Sequence, residues 1–430
     1  MMSSDSDAAK ALLTFIADSP SPFHAVSTAL GYLGKAGFTE LVDGDEWPAE
    51  PGSYVAQRAG ALVAWTIRAE HTPTTPLRVI GAHTDSPNLR IKPRPDTGLG
   101  GLRQLAVEVY GGALLNSWLD RDLGLSGRVA IAADDSVTQR LFRDDRPLLR
   151  IPQLAIHLDR EISEKGLLLN KQSHLAPVWE LGAPAEGEFR DYLAEQLDCQ
   201  PECILGWDVM CHDTQPGCLL GRSTGFVSAS RLDNLCSCFG AISALASTSR
   251  RPGEALHVPV VSLFDHEEVG STSERGAAGP LLSTTLERIA LTLGGTREDH
   301  HRAMSRSTCL SADMAHATHP NYADRHEPGH WISLGGGPVI KTNVNQRYAT
   351  DSTGAGEFRL ACRRAGVPVQ EYVNRGDLPC GSTIGPLTAA ASGMTVVDVG
   401  MPQLAMHSAR ELMGTADVGY MLKAYEAWYG

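Results

Sequence analysis

The stretch VPVVSLFDHEEVGS, residues 258–271, places Asp265, His266, Glu267 and Glu268 in a row behind a run that is apolar at nearly every position. A run that is apolar on both faces fits a central strand of a parallel sheet, which helices cover on either side. Such a strand points to an α/β fold. The glutamates then need an explanation, because neighbouring carboxylates repel and a buried one is costly unless it is paired or bound to a metal ion. No Lys or Arg adjoins the pair, so compensating charge has to come from elsewhere in the chain. Successive side chains on a strand point to opposite faces, so Glu267 and Glu268 can share a centre only where the strand ends or bends. Gly270 is placed to supply that bend.

Further side chains of the metal-binding type follow other strand-like runs. PLRVIGAHT (76–84) ends at His83, with Asp85 just beyond it, and open α/β sheets place their chemistry at the C-terminal ends of strands. Asp313, in CLSADMAHATHP, follows a short apolar run, and His407, in PQLAMHSARE, follows the strand-like MTVVDVGMP. Asp233 opens the helical stretch RLDNLCSCFGAISALAS, where a first-turn carboxylate also complements the helix dipole. Each of these has an ordinary structural reading. Together they put two histidines and several carboxylates at expected strand ends.

The rest of the chain sets the frame. Its 430 residues, 42% of them hydrophobic, suffice for one large domain and a second, smaller one. SPFHAVSTALGYLGKAGF reads as a helix with Ser21 as N-cap, Pro22 in its first position and Gly37 as its stop. Strands are expected at 61–68 and 76–84, and the Pro/Gly-rich IKPRPDTGLGG (91–101) reads as a domain border. From there to about 220 short alternating segments predict a β-rich insertion. Strand and helix then alternate to a C-terminal helix after Thr415, with no internal repeat. The expected organisation is one discontinuous α/β domain, 1–92 with 222–430, interrupted by a β-rich domain over 93–221.

No basic segment followed by an apolar one opens the chain, and no apolar run approaches the roughly 18 residues that a membrane span needs. With nine scattered cysteines, which read as reduced thiols, this makes a cytoplasmic location the expectation. The formal charge of −13 argues against nucleic acid or an anionic membrane as partner.

The blocks GAHTDSPNLRIK, IPQLAIHLDR, RLDNL, FDHEEVGS, SADMAHATHPNYADRHEP, VIKTNVNQRYATD and MHSARE occur in an order that resembles the aspartyl aminopeptidase family of cocatalytic zinc metallopeptidases. The resemblance spans nearly the whole chain. It implies a zinc-peptidase domain whose central mixed sheet is flanked by helices, with the β-rich insertion serving dimerisation. It implies two Zn²⁺ per subunit, one held by His83, Asp233 and Asp313, the other by the bridging Asp233 with Glu268 and His407. Glu267 would be the general base and Asp85 the carboxylate behind His83. Lys341 and His157 would be substrate-site residues, with His157 reaching a neighbouring subunit's site in a tetrahedral dodecamer built from dimers. The substrates implied are peptides, preferably with N-terminal Asp or Glu. A neutral-residue aminopeptidase and a noncatalytic binding or assembly protein on the same fold are the alternatives, and the complete ligand set with Glu267 favours an enzyme.

Other motifs compete less well. GRSTG (221–225) matches G-x-S-x-G, but the extended FVSAS follows where a nucleophile elbow needs a helix. The cysteines lack C-x-x-C spacing. GGGP (335–338) lacks the Lys of a phosphate loop. His316, His319, His326 and His330 read as polar loop residues.

Overall fold

Val258–Phe264 is a strand buried at every position. In the computed structural model, which describes residues 5–251 and 256–430, it pairs in parallel with Leu77–His83 and antiparallel with Ala61–Ile67. It belongs to a nine-stranded mixed sheet. The strand order is Thr39–Leu41, Gly52–Arg58, Ala61–Ile67, Val258–Phe264, Leu77–His83, Thr308–Ala312, Thr395–Gly400, Val339–Thr342 and Gln370–Val373.

Both faces of this sheet are covered, which is why its central strands are apolar throughout. Val261 and Leu263, with Ile80 and Ala82, pack into one core alongside Leu12, Val26, Leu235, Phe239, Phe358 and Trp428 of the flanking helices. Their neighbours Val258, Val260 and Phe264, with Leu77 and Val79, face a second core with Leu281, Leu286, Ile289 and Ile384. The period of two along each strand sorts the side chains between the two layers. The first of these layers includes the helix Pro22–Lys35, where Ser21 Oγ accepts the N–H of His24 at 3.4 Å and Gly37 follows at φ 92°.

The chain divides into two compact units, Met1–Asp85 with Gly217–Met406 and Glu411–Gly430, and Ser86–Pro216 with His407–Arg410. The second unit carries a six-stranded sheet in the order Ser136–Leu149, Leu123–Ala133, Ile204–Asp213, Asn88–Leu99, Leu102–Tyr110, Val178–Leu181, antiparallel throughout. Helix Glu188–Gln196 buries Phe189 and Leu193 in its core.

The division falls at Asp85/Ser86 and Pro216/Gly217, not at 92/93 and 221/222. The Pro/Gly-rich stretch expected as a border is most of the strand Asn88–Leu99 and the hairpin turn after it. Pro93 and Pro95 sit where the register shifts between Ile91 and Asp96, a position where a missing N–H breaks no ladder bond. Gly100 and Gly101, at φ 64° and 79°, then make the turn. The first four residues of the N-terminal reading lie outside the described residues. Among the described residues no helix is long and apolar enough to cross a membrane.

Candidate metal centre

The strands Val258–Phe264, Leu77–His83 and Thr308–Ala312 are adjacent and parallel, with Phe264 opposite His83, so their C-terminal ends share one edge. His83 ends one strand, Asp265 to Glu268 follow the second and Asp313 follows the third. Asp233 arrives from the helix Leu232–Ser249, but at φ −82° and ψ 105° it is not an ordinary first-turn residue. Its N–H donates to Glu411 Oε2 at 3.0 Å, and Asn234 Nδ2 donates to Ala312 O at 2.8 Å.

His83 is buried, and its Nε2 lies 3.4 Å from Asp233 Oδ1 and 3.6 Å from Asp313 Oδ1. These separations are long for hydrogen bonds. They match the edge of a tetrahedron built on metal–ligand bonds of about 2.0–2.1 Å, which is about 3.4 Å. His83, Asp233 and Asp313 each offer a ligand atom within 4.8 Å of the others, and so do His83, Glu267 and Glu268. An imidazole nitrogen with carboxylate oxygens is a donor set that suits Zn²⁺.

The electrostatics agree with a site built for a cation. Burial lowers the pKa of His83, but Asp233, Asp313 and Asp85 outweigh it and hold the ring well above its usual value. The Glu267 carboxyl is pushed up to about 8 by burial, with Asp313, Asp85 and Asp233 adding to the shift and His83 opposing it. Without a metal ion, protons have to supply the positive charge.

Asp85 contacts both the His83 ring and the turn that follows the neighbouring strand. The His83 Nδ1 is 3.0 Å from the main-chain carbonyl of Asp85 and 3.4 Å from its carboxylate, so the closer partner of the ring is the backbone. The carboxylate accepts the N–H of Glu267 at Oδ1 and of Glu268 at Oδ2, both at 3.1 Å. Glu267–Val269 is a single 3₁₀ turn past the strand end, which is how neighbouring glutamates escape opposite strand faces. Gly270, at φ 96°, and His266, at φ 65°, bracket the turn. Asp265 is neutralised by Arg275, whose Nε donates at 3.0 Å. Neither Arg275 nor Glu411 stood out in the sequence, because each acts across a distance that adjacency does not reveal.

Lys341 is 2% exposed. Its Nζ donates to Asp313 O at 2.8 Å and Met314 O at 3.1 Å, lies 3.6 Å from Asp313 Oδ2 and sits 5.2 Å from the Tyr348 ring centre. An ordinary solvated lysine is excluded. His407 lies in the segment His407–Arg410 of the second unit, and His157 lies in an exposed loop of that unit among the exposed Leu154, Ile156 and Leu158.

Ser223 is exposed in a hairpin turn between Cys218–Leu220 and Phe226–Ala229, with no helix after it. No cysteine joins a metal-type group among the described residues. Gly335 and Gly337 of the glycine loop donate their N–H groups to the chain's own Asp417 at 2.7 and 2.9 Å. His326 Nε2 accepts the N–H of His319 at 3.0 Å, a local loop contact.

A family model described as Aminopeptidase I zinc metalloprotease (M18) matches residues 15–429. A probable M18 family aminopeptidase 2 of Streptomyces coelicolor is 49% identical over 418 residues, 97% of this chain and 96% of that protein. A protein of the same description from Mycobacterium tuberculosis is 50% identical over 424 residues, covering 98% and 97%. A chain in the cryo-EM structure of the Ape4 and Nbr1 complex superposes with a TM-score of 0.94 at 36% identity, covering 100% of this chain and 87% of that one. A chain of the S. cerevisiae mApe1 dodecamer gives a TM-score of 0.85 at 28% identity, covering 99% and 97%.

Proposed function

This chain belongs to the M18 family of zinc aminopeptidases, and from that premise we propose that it works with two Zn²⁺ per subunit and prefers peptides with an acidic N-terminal residue. The observation that carries the reading is the buried trio His83, Asp233 and Asp313 beside the turn that presents Glu267. Bound zinc polarises a peptide carbonyl and lowers the pKa of a water from about 15.7 towards 7. Asp233 is proposed to serve both ions, with Glu268 and His407 as further ligands of the second. Glu267 takes the proton from the attacking water and passes it to the leaving amine. Asp85, through two backbone N–H groups, keeps Glu267 and Glu268 in their turn. Metal analysis of the purified protein, run beside a panel of N-terminal aminoacyl substrates, tests the reading. Two zinc ions with hydrolysis of Asp and Glu substrates above Leu is the expected result. Leu above Asp favours a neutral-residue enzyme, and bound zinc without hydrolysis favours a noncatalytic protein.

Lys341 is proposed as the acidic-side-chain contact. Its burial makes such a pairing strong, because a desolvated ion pair is little screened. Two backbone carbonyls and Asp313 already hold its ammonium, so a substrate carboxylate has to share it with Asp313. Lys341→Leu is expected to lower the ratio of kcat/KM for Asp over Leu substrates about tenfold or more, which corresponds to about 1.4 kcal/mol. An unchanged ratio removes Lys341 from specificity.

The assembly is proposed to be a cytoplasmic homo-oligomer, a tetrahedral dodecamer built from dimers through the β-rich unit, and the likeness to the mApe1 dodecamer supports it. His157 is proposed to enter a neighbouring subunit's site and stabilise the oxyanion of the scissile carbonyl, where one lost donor costs about 10²–10³ in kcat. Inactive His157→Ala and Glu267→Ala proteins, dissociated, mixed and reassembled, are then expected to regain activity. If each chain builds its own site, none returns.

A further inference from the structure

Of the residues proposed as metal ligands, His407 alone belongs to a segment that packs with the β-rich unit. The way that unit holds it is specific. His407 Nδ1 is 3.2 Å from Gly112 O. The N–H of Leu114 donates to His407 O at 3.0 Å, and the N–H of Ala409 donates to Ser117 Oγ at 2.8 Å. Ser117 Oγ in turn donates to Leu114 O at 2.6 Å, and Arg121 Nε donates to Ser117 O at 2.7 Å. Arg410 closes the far end, donating to Gln215 O at 2.6 Å and Pro216 O at 3.0 Å, with Asp213 at 3.6 Å. His407 itself sits at φ 66°, a conformation that a non-glycine residue keeps only when its surroundings impose it.

We propose that residues 112–117 and Arg410 form a clasp whose job is to orient the His407 imidazole for zinc. The inference rests on the reading that His407 is a ligand. The ring nitrogen facing Gly112 O has to carry the proton, since a carbonyl only accepts, and this leaves Nε2 with the lone pair that a metal ion needs. The 112–117 segment grips the ring, the His407 carbonyl and the backbone two residues further on. The clasp residues are positioning residues, and they touch neither substrate nor metal.

Ser117→Ala removes the hydroxyl that accepts the Ala409 N–H and touches no proposed ligand. Groups that bond a metal-bound histidine directly are worth about 10–100-fold in metal affinity, and the low end of that range is expected for a hydroxyl that acts through the Ala409 N–H. In the full-length protein, titration with Zn²⁺ against a chromogenic chelator is expected to show one of two ions weakened by about that factor and the other unchanged. Ser117→Thr, which keeps the hydroxyl, is expected to restore it. His407→Ala is the control. If it loses one ion while Ser117→Ala binds both as tightly as wild type, the clasp is wrong and the ligand reading stands. If His407→Ala binds both ions normally, the ligand reading fails and the clasp falls with it. A loss in Ser117→Ala that Ser117→Thr does not restore also overturns the proposal, because the hydroxyl is then not the cause.

Discussion

Replacing Glu267 by Gln is expected to leave metal content near the wild-type level and to lower kcat by about 10²–10⁴-fold, the usual contribution of a general acid–base group. The amide keeps the shape of the carboxyl but cannot take the proton from the attacking water. The turn should survive, because Asp85 holds it through the N–H groups of Glu267 and Glu268 rather than through either side chain. The substitution also has a signature that does not depend on turnover. In the metal-free protein the Glu267 carboxyl is raised by burial from 4.5 to about 8. A group raised in the folded state contributes stability that is complete below its unfolded pKa and is lost as pH rises through the folded one. Metal-free wild type is therefore expected to lose thermal stability between about pH 4.5 and 8. Glu267→Gln should flatten that decline, leaving the part that His83, also raised, contributes in the same direction. Turnover within a few-fold of wild type would take Glu267 out of the base role.

The features that a sequence shows are those that interrupt a local pattern. Glu267, Glu268, His83 and Asp313 are legible because each breaks off or follows an apolar run, and an apolar run with two buried faces has to be a central strand. The helix Pro22–Lys35 is legible because Ser21, Pro22 and Gly37 each act on the backbone within one turn. What the sequence hides is set by contacts between distant segments. Asp85 and Glu267 are far apart along the chain, and only the alignment of two parallel strands brings the carboxylate to the turn. Lys341 looks like any surface lysine until the pairing of Val339–Thr342 with Thr395–Gly400 places it inside the sheet. Pro93 and Pro95 suggest a linker, because nothing local distinguishes a proline in a bulge from one in a loop. His407 is legible as a histidine behind a strand-like run, whereas the role of His157 comes from resemblance alone.

Asp233→Asn is expected to abolish stoichiometric zinc binding, and activity with it. An amide is a much poorer metal ligand than a carboxylate. Even partners that only orient ligands cost about 10–100-fold in affinity, so loss of a ligand serving both ions should exceed that for each of them. Local structure has reasons to persist, because two of the contacts that place this residue do not involve its side chain. Its own N–H is held by Glu411 and the next side chain by Ala312 O. The zinc-dependent part of stability gives an independent measurement. At a free zinc concentration of 100 times Kd, one bound ion adds about 2.7 kcal/mol to folding, so wild type should melt at a clearly higher temperature with zinc than with chelator. Asp233→Asn should show no such difference, while its metal-free form melts near the wild-type apo temperature. The pattern of loss is what decides the geometry. If both ions go together, the carboxylate bridges. If one ion remains at full affinity, Asp233 serves a single ion and the bridge is wrong, and if both remain it is not a ligand and the 3.4 Å approach to His83 Nε2 is an ordinary buried pair.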